Sequence, residues 1–181
     1  MSENKKLKLA ELGRLTDSEF KSVKKNPLVV VLEDVRSMHN VGSFFRTSDA
    51  FRIEKIILCG VTARPPHRDI EKTALGATKS VDWVYFDSGL EAIKSLKEEG
   101  YHVCSIEQTE NSTMLEDFHP SIDQKYALVV GNEVKGVTQE VIDQSDVTIE
   151  IPQLGTKHSL NVSICGGIVM WHFFSVLKNT L

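Results

Sequence analysis

Residues 28–47 read LVVVLEDVRSMHNVGSFFRT, and the order of apolar and polar positions in them decides the architecture. Leu28, Val29, Val30, Val31 and Leu32 run without polar alternation, as expected of a strand covered on both faces. Glu33 and Asp34 end the run, and the segment from Asn40, carrying Phe44, Phe45 and Phe51, reads as a helix over 40–52. Outward from this unit the alternation continues. Strands are expected at 28–33, 55–59, 82–86, 101–106, 126–131 and 147–151, and further helices at 69–77, 89–99, 138–145 and 159–178. Gly100, after Lys97, Glu98 and Glu99, is a helix stop. Upstream, 6–14 reads as a short helix ending near Gly13. Thr16 and Glu19 form a capping box for a second helix over 16–25, which Asn26-Pro27 breaks. The expectation is one α/β domain, a mainly parallel six-stranded sheet with helices on both faces. Residues 1–26 form a basic helical extension, and 27–181 form the domain.

With 41% hydrophobic and 25% charged residues the composition is that of an ordinary globular domain, which excludes a disordered or fibrous chain. Cys59, Cys104 and Cys165 stand in apolar runs at no metal-like spacing, so no disulfide framework and no metal site are expected. The opening MSENKKLKLAEL lacks an apolar signal core, and the most apolar run, 160–177, is interrupted by Asn161, His172 and serines. Both features point to a cytoplasmic protein without a membrane span. The net charge is −4, unevenly spread: residues 1–27 hold seven Lys/Arg against four Asp/Glu. Such an arm either guides a phosphate backbone or is a solvated surface helix.

Ligands of parallel sheets sit beyond the carboxyl ends of the strands, and the polar segments fall there. They are Glu33-Asp34 with the Asn40 segment, Glu107-Gln108-Thr109, GNEVKG at 131–136, and PQLGTKH at 152–158. Asn40 is a natural N-cap. Arg46, among Phe44, Phe45 and Phe51, needs a partner, for which Asp49 and Glu33 are candidates. Gly131 leaves room for a ligand to approach the main chain, so a side chain there should fill the ligand's space and spare the fold. GNEVKG lacks both the dinucleotide glycine spacing and the Gly-Lys-Ser/Thr end of a phosphate loop. Ile151, Leu154 and Leu160 form an apolar slot. Two adjacent glycines, Gly166 and Gly167, disfavour a helix by about 1 kcal/mol each, which close backbone approach would offset. The loop ARPPHRD, 63–69, is either a phosphate contact or a solvated turn.

Three of these segments in this order, NVGSFFRT at 40–47, GNEVKG at 131–136 and IPQLGTKHSLNVS at 151–163, resemble the motifs of the SpoU/TrmH family. Members of that family are RNA 2'-O-ribose methyltransferases of the knotted SPOUT class, and the likeness extends from about Pro27 to Lys178. The resemblance implies S-adenosylmethionine as cofactor, no metal, a C-terminal trefoil knot with the last helix tucked through the loop after the fifth strand, and a homodimer whose sites are completed across the interface. Asn40, Arg46, Glu133, Ser159 and Asn161 stand at the motifs' catalytic positions, with Arg46 as a fixed cation toward an RNA phosphate or sugar. Gly131, Ile151, Gln153, Gly155 and Leu160 stand where the cofactor is gripped. The segment 106–109 together with IPQLG resembles members acting on tRNA more than those acting on rRNA. The alternatives are an rRNA 2'-O-methyltransferase or a non-catalytic RNA-binding factor on the same fold. Target choice would rest on the arm, the ARPPHRD loop and the dimer groove, and the 170–174 segment, MWHFF, offers a dimer surface.

Overall fold

In the computed structural model, which describes residues 4–181, the apolar run becomes β1 (Asn26–Glu33), in the interior of one sheet. It lies between β2 (Ile53–Cys59) and β6 (Lys125–Val130), parallel to both. Beyond β2 lies β3 (Asp82–Phe86); beyond β6 follow β4 (Tyr101–Ile106), β7 (Val147–Glu150) and β5 (Thr113–Met114). The sheet has seven strands, not six, and all its pairings are parallel. The additional strand, β5, has two residues, too few to show any hydrophobic period, and it forms because the edge of β7 offers a ladder.

Alternation along β1 shows why the run carries no polar positions. Leu28, Val30 and Leu32 enter one apolar cluster, while Val29 and Val31 enter another on the opposite face. The first cluster is closed by α2 (Met38–Ala50), α3 (Arg68–Ala74) and α7 (Val162–Leu177); the second by α5 (Gly89–Glu98) and α6 (Gln139–Gln144). α1 (Asp17–Ser22) opens on the Thr16–Glu19 capping box and anchors through the buried Phe20, while 6–14 contains only a short 3-10 turn. The helix expected over 69–77 is two, α3 and α4 (Ala77–Ser80). Leu75 and Gly76 between them adopt left-handed conformations, at φ 50° and 92°. Gly100, at φ 85°, stops α5 as expected.

α7 begins at Val162 rather than 159, because the Asn161 side chain accepts from the Ser163 and Ile164 N–H groups and so caps the helix there. Its two glycines differ. A Cβ on Gly166 would lie 2.2 Å from the ring of Phe44, which is 1% exposed, whereas one on Gly167 meets nothing within 4 Å. Close approach therefore explains only the first. Gly166→Ala is expected to lower stability by about 1–3 kcal/mol through overpacking, offset in part by helix propensity. Thermal unfolding checks it; an unchanged midpoint would mean that Phe44 turns aside freely. Of the 170–174 segment, Met170 and Phe173 are buried in the core. Trp171 of that segment faces outward, where it continues an apolar stripe of α7 with Ile164 and Ile168. Among the described residues, no helix is long and apolar enough to cross a membrane.

Candidate active site

Beyond the carboxyl ends of β4, β6 and β7 lies a cavity of about 540 Å³. Its apolar wall is Ile106, Ile149, Ile151, Leu160 and Val162, and its polar wall includes Glu107, Gln108, Asn132, Glu133, Gln153 and Ser159. One side is the main chain of 131–136. That loop is closed on itself: the N–H groups of Asn132 and Gly136 each donate to the other's carbonyl, at 3.0 and 2.9 Å. Asn132 braces it further, its Oδ1 accepting from Val134 and Lys135 N–H and its Nδ2 donating to the Asp34 carbonyl at 2.9 Å. Asp34 sits at φ 53°, a conformation an aspartate tolerates, just where β1 ends.

Three motif residues from distant parts of the chain meet at the cavity's edge. Asn40 Nδ2 donates to Glu133 Oε1 at 3.0 Å, and Asn40 Oδ1 accepts from Asn161 Nδ2 at 3.2 Å. The Glu133 carboxylate also accepts from the backbone N–H groups of Arg36 and Ser37, at 3.0 and 2.9 Å. Burial pushes the Glu133 carboxyl up, but those two amides and the Asn40 side chain outweigh it, so it lies below the ordinary carboxylate range. Glu133 therefore stays ionised as the acceptor that links β1, α2 and the 131–136 loop. Asn40 is not the cap of α2. Ser37 is, its Oγ accepting from Asn40 N–H, which leaves the Asn40 amide free to bridge Glu133 and Asn161.

The remaining expected residues divide. Gly131, Ile151, Gln153, Ser159 and Leu160 line the cavity, whereas Gly155 lies exposed off its wall and Leu154 is wholly solvent-facing, so the apolar slot lacks that residue. Glycine signals the turn in this loop but not which way it turns. Gly131 does not hold space open for a ligand: a Cβ there would lie 2.1–2.2 Å from the backbone of Gly136 and Val137. The chain itself fills that room. Arg46, on the outer face of α2, is exposed, lines no part of the cavity, and pairs with neither candidate. Asp49 accepts from Ser80 Oγ, and Glu33 accepts from Thr138 N–H and Oγ1. In the ARPPHRD loop, Arg64 lies over the Tyr85 ring and His67 caps α3, so both have structural work. The Cys165 thiol on the cavity wall is pushed up to about 11, first by burial and then by Glu107. Among the described residues no group of His, Cys, Asp and Glu is arranged to hold a metal ion.

Residues 27–171 match the model of the SpoU rRNA Methylase family. The chain belongs to that family. The SpoU relatives include a putative TrmH family tRNA/rRNA methyltransferase of Staphylococcus haemolyticus, 31% identical over 146 residues, covering 81% of this chain and 57% of the relative. The 23S rRNA (guanosine-2'-O-)-methyltransferase RlmB of Neisseria meningitidis is 27% identical over 144 residues, covering 80% of this chain and 56% of its own. This SpoU chain thus spans little more than half the length of the curated relatives it matches. Among solved structures, the TrmH/SpoU tRNA modifying enzyme of A. aeolicus superposes with a TM-score of 0.78 at 24% identity, over 91% of this chain and 81% of that one. An AdoMet-bound rRNA methyltransferase from Sinorhizobium meliloti gives 0.76 at 24%, over 85% and 59%. At that identity the two structures establish a shared fold.

Proposed function

We propose that this SpoU-family chain is an S-adenosylmethionine-dependent methyltransferase acting in the cytoplasm on a ribose 2'-hydroxyl of RNA, with a tRNA guanosine as target. The observation that carries the reading is the Glu133–Asn40–Asn161 chain, which joins one residue from each of the three motifs. The residues present fit the cofactor. A cavity of about 540 Å³ lies within the range of nucleoside-sized sites. Its isoleucine and leucine wall suits an adenine face, and residues 153–160 make no backbone–backbone hydrogen bond among the described residues, leaving amides and carbonyls to read the ring's edge. Bound there, S-adenosylmethionine would supply a methyl group on a cationic sulfur, open to in-line attack.

The chain's own residues supply position and proton handling. Ser159, exposed and without a hydrogen bond among the described residues, offers a hydroxyl to orient the sugar. Asn161 caps α7 and bonds Asn40, so sugar-orienting loop and helix start move as one unit. Arg46 is the candidate for holding the adjacent phosphate and polarising the 2'-hydroxyl as its proton leaves. Its absence from the cavity of its own chain supports a homodimer in which Arg46 reaches the partner's site. The apolar stripe Ile164, Ile168 and Trp171 on α7, which packs against α2, supplies a surface for that contact. We also propose that the C-terminal part is knotted. β7 enters between β4 and β5 near the sheet edge, and the chain then returns to lay α7 against α2, β1 and β6.

Residues 1–26 are read as a basic extension to the domain at 27–181, available to RNA. Transfer RNA is favoured over ribosomal RNA because residues 106–109, together with IPQLG at 151–155, resemble members acting on tRNA. Calorimetric titration with S-adenosylmethionine and mapping of 2'-O-methyls in total RNA, with and without the gene, test the proposal. Binding together with loss of one tRNA methyl is expected. A chain that does not bind the cofactor would overturn the reading, and a methyl lost from rRNA would replace the target.

A further inference from the structure

Glu107, outside all three motifs, is the first residue beyond β4 and lines the cavity. Its Oε1 accepts from Gln108 N–H at 2.9 Å and its Oε2 from Val137 N–H at 2.9 Å. Gly136, at φ 70°, passes so close that a Cβ on it would lie 2.0 Å from Oε2. The far end of the 131–137 segment therefore rests on this carboxylate, while the near end is tied by Asn132 and Glu133 to the segment after β1. None of the ion pairs among the described residues involves Glu107, so both oxygens serve main-chain amides.

We infer that Glu107 is a positioning residue for the cofactor: it sets the main chain of 135–137 against β4 and so fixes one wall of the cavity, without touching the reacting atoms. The inference rests on the cavity being the S-adenosylmethionine site. Removing the carboxylate frees the Val137 amide and empties the space beside Gly136, so the wall drifts. Asn40, Glu133 and Asn161 keep their mutual bonds, so the step after binding survives. Glutamine restores an acceptor for one amide but turns an NH2 group toward the other.

The test is titration of the full chain with S-adenosylmethionine, paired with steady-state methylation of RNA. Glu107→Ala is expected to weaken cofactor affinity about 10- to 100-fold, as for an amide left without its charged acceptor. KM for the cofactor should rise in step, with kcat within about threefold. Glu107→Gln should recover part of the affinity. Asp146→Asn is the control. Asp146 accepts from Val103 N–H at 2.7 Å and pairs with Lys97 at 2.8 Å, further back along β4 and off the cavity wall. That variant should lower the thermal midpoint and leave cofactor affinity unmoved. Affinity within about twofold of wild type in Glu107→Ala, or an equal loss in Asp146→Asn, overturns the inference. Should the alanine variant not fold, Glu107→Gln carries the test, with an affinity loss of about two- to fivefold expected and none overturning it. A wild-type chain that fails to bind overturns the cofactor reading itself, a result distinguishable from unaffected binding in the variant.

Discussion

Arg46→Ala is expected to lower methyl transfer by about two to four orders of magnitude, the range for losing a group that handles a proton in the transition state. Cofactor affinity should be unchanged, because Arg46 lies on the outer face of α2 and lines no part of the cavity. Arg46→Lys keeps the charge and loses the planar fork, so it should recover little if the fork holds phosphate and sugar together, and much if charge alone anchors phosphate. The exposure of Arg46 adds a sharper experiment. A mixed dimer of one Arg46→Ala copy and one Asn161→Ala copy has one intact site if Arg46 serves the partner's cavity, and none if it serves its own. Activity near half of wild type would establish the composite site. Activity no higher than the single variants would place Arg46 with its own chain, and full turnover in Arg46→Ala would end its assignment as catalytic.

Gly131→Val is expected to remove the cavity by unfolding its loop rather than by blocking a ligand. The new side chain would meet the backbone of Gly136 and Val137 at 2.1–2.2 Å, and backbone already closed by two hydrogen bonds cannot turn aside. Overpacking of this kind costs about 3 kcal/mol or more, roughly 6–12 °C in thermal midpoint for a chain of this size. Cofactor binding should vanish with it. Scanning calorimetry separates the two accounts: lost binding with an unchanged midpoint would return Gly131 to the role of leaving space for a ligand.

The strands were legible because unbroken β-branched runs such as 28–32 have few other uses, and the alternation with helices then implied parallel pairing. The two-residue β5 was not, since its pairing depends on where β7 stops rather than on its own residues. Helix starts shifted for a local reason. Several small polar residues precede α2 and α7, and sequence does not say which of them caps; Ser37 and Asn161 do. In the candidate site Asn40, Glu133 and Asn161 were singled out through the resemblance of their segments to the family's motifs. What they do for one another was not, because their bonds join positions 93 and 121 residues apart. The bonds of Glu107 and Asn132, both in segments expected at the rim, escaped for the same reason, their partners being main-chain groups 30 and 98 residues away. That Gly155 and Leu154 lie off the cavity wall was not legible, because a glycine-containing loop has no period from which to read its inner side.

The bond between Asn161 and Asn40 has a consequence for the timing of synthesis. A ribosome delivers Asn40 early and Asn161 121 residues later, and α7 must dock before the two side chains meet. Until then the nascent chain holds a sheet whose crevice lacks one wall. The cavity therefore takes its final shape only once α7 has emerged and packed against α2.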